Sequence, residues 1–237
     1  MGNTKKQNIK RWAVLATVLA LIPLTIAFGI FALGDRKYFF ISLMLVIYAM
    51  IPFFLKFEKR RPKAREIIII SVLAAICVAG RVVFYVVPHF KPVVSIVIIT
   101  GVCFGAESGF LVGAVTGLAS NFFFGQGPWT PWQMLCFGII GLLAGTLFFS
   151  GPFKASKLRL CVFGAIVTLV IYGGVMNISA VLMYTQTLTL DAVLAKYVTG
   201  LPVDLVHSLS TIVFMLLLSE PMIEKLTRIK LKYGIIE

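Results

Sequence analysis

Residues Gly101 to Gly145 read GVCFGAESGFLVGAVTGLASNFFFGQGPWTPWQMLCFGIIGLLAG, an apolar run in which glycines recur at four-residue spacing. One turn, Gly125 to Trp132, interrupts the run with prolines and tryptophans. Small residues at this spacing share one face of a helix and let neighbouring helices pack closely in a bilayer. A rigid aromatic turn offers a flat apolar surface at the membrane edge. The stretch therefore predicts a membrane protein that holds a small molecule.

The composition of the whole chain supports a membrane protein. The chain has 237 residues, of which 59% are hydrophobic and 13% are charged, and its mean hydropathy is +1.00. A soluble domain of this size has too much surface to hide so many apolar side chains. The net charge of +13 comes mostly from short basic tracts between apolar runs, which is typical of membrane orientation. Nucleic acid is therefore not an expected partner.

The hydropathy pattern predicts an all-α integral membrane protein, since about 20 apolar residues cross the hydrocarbon core as a helix. Two extra transmembrane helices in residues 1–65 precede a six-helix core at 66–220, and a basic tail follows at 221–237. Glu107 separates two short spans, which we interpret as a tilted or broken pair. The predicted spans are 12–34, 37–55, 66–87, 92–106, 109–124, 132–150, 160–184 and 200–219.

The distribution of lysine and arginine predicts the orientation. Seventeen of the 22 basic residues lie in the N-terminus, the second loop, the sixth loop and the tail, and four lie on the opposite side. The positive-inside rule then places both termini in the cytoplasm of a multi-pass cell-membrane protein. The outer face receives three loops, 88–92, 125–131 and 185–197.

The outer turn carries the most specific local pattern. Thr130, Pro131 and Gln133 resemble an N-cap, a first-turn proline and a capping box, so a helix is predicted to begin at Thr130. Trp129 and Trp132 flank this start and, with Phe122–Phe124, are candidates for an aromatic wall around a ligand. The alternative is that the tryptophans are ordinary interfacial belt residues.

Ionisable residues inside the spans are the remaining candidates, because such groups are costly in lipid and mark cavities or partners. Arg81 lies within a span and could pair with an acid, while Asp204 and His207 share one face of the last span. Asn121, Gln126 and Asn177 supply amides that would bind a ligand or link helices. A proton relay through Arg81, Glu107, Asp204 and His207 is an open alternative, as is a purely structural scaffold.

Signatures of enzymes are missing from the sequence. It contains no HExxH, Walker A or nucleophile-elbow motif, and its four cysteines lie in apolar segments without CxxC spacing. We therefore expect neither catalysis, nor a covalently bound cofactor, nor a metal site. With no ATPase element, uphill transport would need energy from a partner or an ion gradient.

The stretches AAICVAGR (Ala74 to Arg81) and FFFGQGPWTPWQ (Phe122 to Gln133) resemble the substrate-binding (S) components of energy-coupling factor (ECF) vitamin transporters, over residues 66–220. The resemblance implies a vitamin binder that joins a transmembrane coupling subunit and two ATPases, so that ATP is used by the partners only. It also implies that Ala75 and Ala79 face the coupling subunit and that the three outer loops close over the ligand.

The resemblance is nearest to the cobalamin-specific members, so a corrinoid is the expected ligand, with another vitamin or a queuosine precursor as alternatives. The polar and aromatic side chains in the outer half of the predicted spans are then the candidate binding site. The predicted ligand-binding residues are Arg81, Asn121, Phe123, Gln126, Trp129, Trp132, Asn177, Asp204 and His207.

Overall fold

The protein is an all-helical, multi-pass membrane protein. A computed structural model describes residues 64–185 and 188–233, together with scattered positions between 24 and 58. Within the two long ranges, five helices are long and apolar enough to cross a membrane. They are α1 (Ala64–Val83), α2 (Val93–Phe124), α3 (Thr130–Phe149), α4 (Lys157–Tyr184) and α5 (Leu190–Tyr233).

Helix α2 is broken at Gly105, where the chain reverses. Gly105 has φ 87° and ψ 177°, a conformation that is essentially restricted to glycine. One end of α2 contacts α1 through Pro92, which lies against Gly80, and the other end contacts it through Asn121, which bonds to Arg81. The ends of a straight 32-residue helix would be about 48 Å apart. The parts of α2 before and after Gly105 therefore lie side by side and correspond to the two short spans that the sequence predicts, which completes the six-helix core.

The glycines of α2 allow its backbone to touch the backbone of α3. A Cβ added at Gly109 would lie 2.4 Å from the carbonyl oxygen of Gly141, and one added at Gly113 would lie 2.3 Å from that of Phe137. A Cβ added at Gly145 would lie 2.2 Å from the backbone nitrogen of Ala106. These contacts confirm that the glycine spacing serves helix packing. They also make α2 the central element, with 89% of its most apolar stretch buried.

The last helix is longer than the sequence predicts. Its 44 residues extend about 66 Å, roughly twice the hydrocarbon thickness. The predicted outer loop 185–197 is therefore wrong from Leu190 onward, where α5 begins. Residues with good helix propensity extend the helix through this region, and Tyr197 donates a hydrogen bond to the carbonyl of Gly174 on α4. The predicted tail is likewise helical as far as Tyr233.

Three basic tracts of the sequence meet at one end of the bundle, called here the basic end. Arg65 donates to the carbonyl oxygen of Tyr233 at 2.9 Å, which joins the second loop to the end of α5. Lys157 and Glu220 form a salt bridge of 3.1 Å, and the ammonium of Lys230 lies 4.1 Å from the ring of Phe149. The opposite end, which carries residues 84–92 and 125–129, is called the loop end.

The two predicted N-terminal helices lie largely outside the described residues. Where positions are described, Met50 is buried in a cluster with Phe110, Ala114 and Trp132, and the rings of Phe54 and Phe110 meet edge to face at 6.2 Å. This N-terminal segment thus contacts the side of the core formed by α2 and α3.

The glycine packing makes a direct prediction. Gly109→Ala should lower the free energy of unfolding by about 1–3 kcal/mol, because the new methyl group meets backbone that cannot turn away. Gly174→Ala is the matched control, since only the Tyr197 hydroxyl approaches a Cβ there, at 3.9 Å. Both changes gain the same helix propensity. Equal thermal unfolding of the two variants in detergent would contradict the packing role.

Candidate functional site

A buried hydrogen-bond network joins three helices at the loop end. The guanidinium Nη1 of Arg81 on α1 donates to Ser120 Oγ and, at 3.1 Å, to Asn121 Oδ1 on α2. The Nδ2 of Asn121 donates to Thr130 Oγ1 and Gln133 Oε1 on α3, both at 2.9 Å. Asn121 is 1% exposed, so its amide is held in one orientation by protein alone.

Tyr172 extends this network to α4 and α5. Its hydroxyl accepts a hydrogen bond from Gln133 Nε2 at 3.3 Å, and its ring stacks on Phe137 at 5.0 Å. The ring of His207, which is 7% exposed, stands edge-on to Tyr172 at 4.6 Å. Three rings and the Gln133 amide thus meet where α3, α4 and α5 converge.

Asp204 lies beside this cluster and is held by an amide. Asn177 Nδ2 donates to Asp204 Oδ2 at 2.7 Å. Gly173 and Gly200 make room for the pair, since a Cβ at either position would lie under 3 Å from one of the two side chains. The expectation that Arg81 pairs with an acid is wrong within the described residues, because Asp204 bonds to Asn177 and Glu107 lies near the break at Gly105.

The turn between α1 and α2 is tied down by Lys91. Its ammonium donates to the carbonyl oxygens of Phe84 and, at 2.8 Å, of Val87, while Ser210 Oγ on α5 donates to the Lys91 carbonyl at 3.0 Å. Partial burial, followed by the charge of Arg81, lowers the pKa of Lys91. The lysine thus satisfies carbonyls that follow the end of α1.

His89 occupies the same turn with φ 58°, in the left-handed region that few residues other than glycine adopt. Partial burial lowers the pKa of His89 and the charge of Lys91 lowers it further, while the Asp204 carboxylate acts in the opposite direction. The turn therefore brings a lysine and a histidine into the electrostatic neighbourhood of Arg81 and Asp204.

The turn from Gly125 to Trp129 is fixed by its own side chains. Gln126 Nε2 donates to the Leu118 carbonyl at 3.1 Å, and Thr130 Oγ1 donates to Gln126 Oε1 at 2.9 Å. Helix α3 begins at Thr130 as predicted, but its N-cap is Trp129 and no side chain caps it. The predicted capping box is therefore wrong, because Thr130 and Gln133 bond to Asn121 instead.

The predicted aromatic residues are not all near the polar network. Phe123 is 73% exposed and lines a groove on α1, whereas the neighbouring Phe124 packs against the Arg81 guanidinium at 4.6 Å. Trp129 is half-buried over Gly127, and Trp132 is buried against Phe110 with its indole N–H unpaired among the described residues.

The groove on α1 is open and apolar, with a volume of about 610 Å³. Ala75 and Ala79, which the sequence assigns to partner docking, are exposed on its floor. Its walls are formed by one face of α1 and the part of α2 that follows Gly105. The other lining residues are Ser71, Ala74, Val78, Val82, Val83, Val115, Ala119 and Phe123.

Several members of the network were not identified as site residues from the sequence. Ser120, Gln133 and Tyr172 complete the chain of hydrogen bonds, and Lys91 holds the adjacent turn. The signal for Gln133 was its polar side chain inside an apolar run. That polarity was interpreted as helix capping instead. Tyr172 gave no signal, because isolated tyrosines are common in transmembrane helices.

The network predicts a stability effect. Asn121→Ala should cost about 1–3 kcal/mol, since Gln133 and Arg81 would lose buried partners. Gln126→Ala removes an amide of the same kind from an exposed position, where water can replace its two hydrogen bonds, and should cost less, at most about 1 kcal/mol. Thermal unfolding in detergent measures the stability change of each variant. A double-mutant cycle between positions 121 and 133 measures the coupling energy of that pair. A coupling energy near zero in that cycle would contradict the network.

Comparison with known proteins places the chain in a family. A UPF0397 protein of Vibrio atlanticus is 32% identical over 87 residues, and one of Aliivibrio fischeri is 30% identical over the same length. Each match covers 35% of this chain, and the chain spans about half (47%) of the length of these relatives. No solved structure matches.

The broader match comes from a family model. The model described as "ECF-type riboflavin transporter, S component" matches residues 61–224, well over half of the chain. This range includes all of the loop-end network and the groove on α1. The comparisons give no support to the cobalamin specificity that the sequence favoured. The chain belongs to the family of S components of ECF-type riboflavin transporters.

Proposed function

We propose that the protein is the vitamin-binding S component of an ECF importer and that its ligand binds at the loop end. The observation that carries this proposal is the buried network of Arg81, Asn121, Gln133 and Tyr172, which gathers side chains from four helices. Polar groups that converge in an apolar protein and are held by their neighbours are typical of a preorganised ligand site.

The chemistry of the network suits a flat heteroaromatic ligand with amide-like edges. Gln133 Nε2 and the Tyr172 hydroxyl each keep a hydrogen that no described residue engages, and both can donate to such an edge. The partly exposed ring of Tyr172 offers an aromatic surface beside them. The family's description makes riboflavin the first compound to test. Cobalamin, the earlier expectation, and queuosine precursors belong in the same panel.

The open groove on α1 is the proposed contact for a transmembrane coupling subunit that works with two ATPases. Exposed Ala75 and Ala79 allow a partner helix to approach closely. The N-terminal segment contacts Phe110 and Trp132, which do not line this groove. The contacts of the described N-terminal positions, Met50 and Phe54, are therefore compatible with coupling through α1.

A proton-coupled carrier is the less favoured function. Its relay would have to link Glu107 with Arg81, but Glu107 is two residues from the break at Gly105, near the basic end. Ser120, which bonds to Arg81, is 13 residues further along α2, or about 20 Å. The side chains required for a relay are thus separated by most of the bundle.

Ligand binding is tested by titrating the purified full-length protein in detergent with a vitamin panel and following tryptophan fluorescence, or riboflavin's own fluorescence. We expect one compound to give saturable quenching. Tyr172→Phe should weaken its binding about tenfold, through the lost hydroxyl, while Tyr184→Phe, at an exposed position, should change it less than about twofold. A flat response of folded protein to the whole panel would contradict the proposed function.

Coupling is tested by vitamin uptake in cells that express the full complex. Ala75→Phe with Ala79→Phe should reduce uptake at least about tenfold and leave ligand affinity unchanged, because the added rings fill the groove. Val72→Phe with Ile76→Phe is the matched control, since both positions are exposed on α1 but do not line the groove. Normal uptake by the groove variant would refute the docking site.

A further inference from the structure

Among the described residues, the charge of Arg81 is held inside the bundle by neutral groups. Its described contacts are Ser120, Asn121 and the ring of Phe124. Lys157 pairs with Glu220 and Arg228 pairs with Glu224, both at the basic end. Among residues 64–185 and 188–233, no carboxylate neutralises Arg81.

The side chain of Arg81 also points inward. Arginines near helix ends commonly extend towards the interface and leave their charge in water. Here the guanidinium reaches Ser120 and Asn121, which are 0% and 1% exposed. Arg81 itself is partly buried, which is costly for a cation without an anion, and such residues in membrane proteins mark functional sites.

The other charged groups at the loop end do not balance this cation. Asp204, the nearby acid, accepts from Asn177 rather than from Arg81. Lys91 adds a second positive charge, and its ammonium is engaged by the Phe84 and Val87 carbonyls. His89, beside it, carries no negative charge in either protonation state. With Asp191 and Lys196 of α5 also counted, the described residues of the loop end carry three basic side chains, Arg81, Lys91 and Lys196, against the carboxylates of Asp191 and Asp204. The described part of the loop end therefore has an excess of positive charge.

The guanidinium retains the donors that bind an acid. Both of its described hydrogen bonds come from Nη1, so the Nη2 and Nε hydrogens are not engaged by the described residues. A planar fork of this kind matches a carboxylate or a phosphate. We propose that the ligand of this protein carries an acidic group, carboxylate or phosphate, that binds to Arg81. The inference rests on the proposed vitamin-binding function and narrows its substrate class.

The test compares neutral and acidic forms of the same vitamin on the full-length protein in a neutral detergent, so that no anionic lipid supplies the acid. The pairs are riboflavin and riboflavin 5′-phosphate, and nicotinamide and nicotinate, with dissociation constants measured by calorimetry. At least one acidic form should bind about tenfold or more tighter than its neutral partner. The pair that responds distinguishes phosphate from carboxylate.

Variants connect the preference to Arg81. Arg81→Gln should reduce the preference for the acidic form to less than about threefold. Arg159→Gln, at the basic end, should leave that preference unchanged. Arg81→Lys keeps the charge without the fork and provides a second readout if the glutamine variant does not fold. The Arg81→Lys variant should bind the acidic form about threefold or more weakly and the neutral form with unchanged affinity.

The possible failures are distinct. Binding of a neutral form as tightly as its acidic partner, in every pair that binds, would overturn the inference and leave the vitamin-binding function standing. A preference that survives both Arg81 substitutions would also overturn it. Absence of saturable binding by any compound would overturn the inference and the proposed function together.

Discussion

Direct contact between the backbones of α2 and α3 is the constraint on which the remaining structure depends. Gly109 and Gly113 bring α2 within touching distance of carbonyl oxygens on α3, and Gly145 does the same near the break at Gly105. Lipid gives no hydrophobic advantage to helix association, so close van der Waals packing must supply it. Side chains of ordinary size between these helices would separate them and remove that contribution.

The reversal at Gly105 determines where the candidate site lies. It returns α2 to the loop end, so that Lys91 before the helix and Asn121 near its finish both lie close to Arg81. Close packing with α3 then brings Gln133 to Asn121, and Tyr172 on α4 joins them. The polar network is thus a consequence of glycine packing. Its side chains are fixed by one another, which reduces the cost of ordering a bound molecule.

Hydropathy and glycine spacing were sufficient to predict the helical core of the described residues, because lipid allows only helices and close packing requires small residues. The direction of individual side chains was not predictable in the same way. Phe123 and Phe124 are adjacent and chemically identical, yet one faces the α1 groove and the other faces Arg81. Thr130 matched a capping pattern, but the distant Asn121 provided a better partner than the helix terminus. Such choices depend on contacts across the bundle.

Helix α5 connects the two ends of the molecule as one continuous rod. Asp204 and His207 lie on it beside the candidate site, and Lys230, about 39 Å further along, donates to the Cys103 carbonyl near the reversal of α2. A tilt of this rod that shifts Asp204 must therefore also shift the contact of Lys230. Pro221 lies inside the helix between these points, where a bend costs least, so part of such a tilt can be absorbed there. The geometries of the loop end and of the basic end are linked mechanically through α5 to the extent that it stays straight at Pro221.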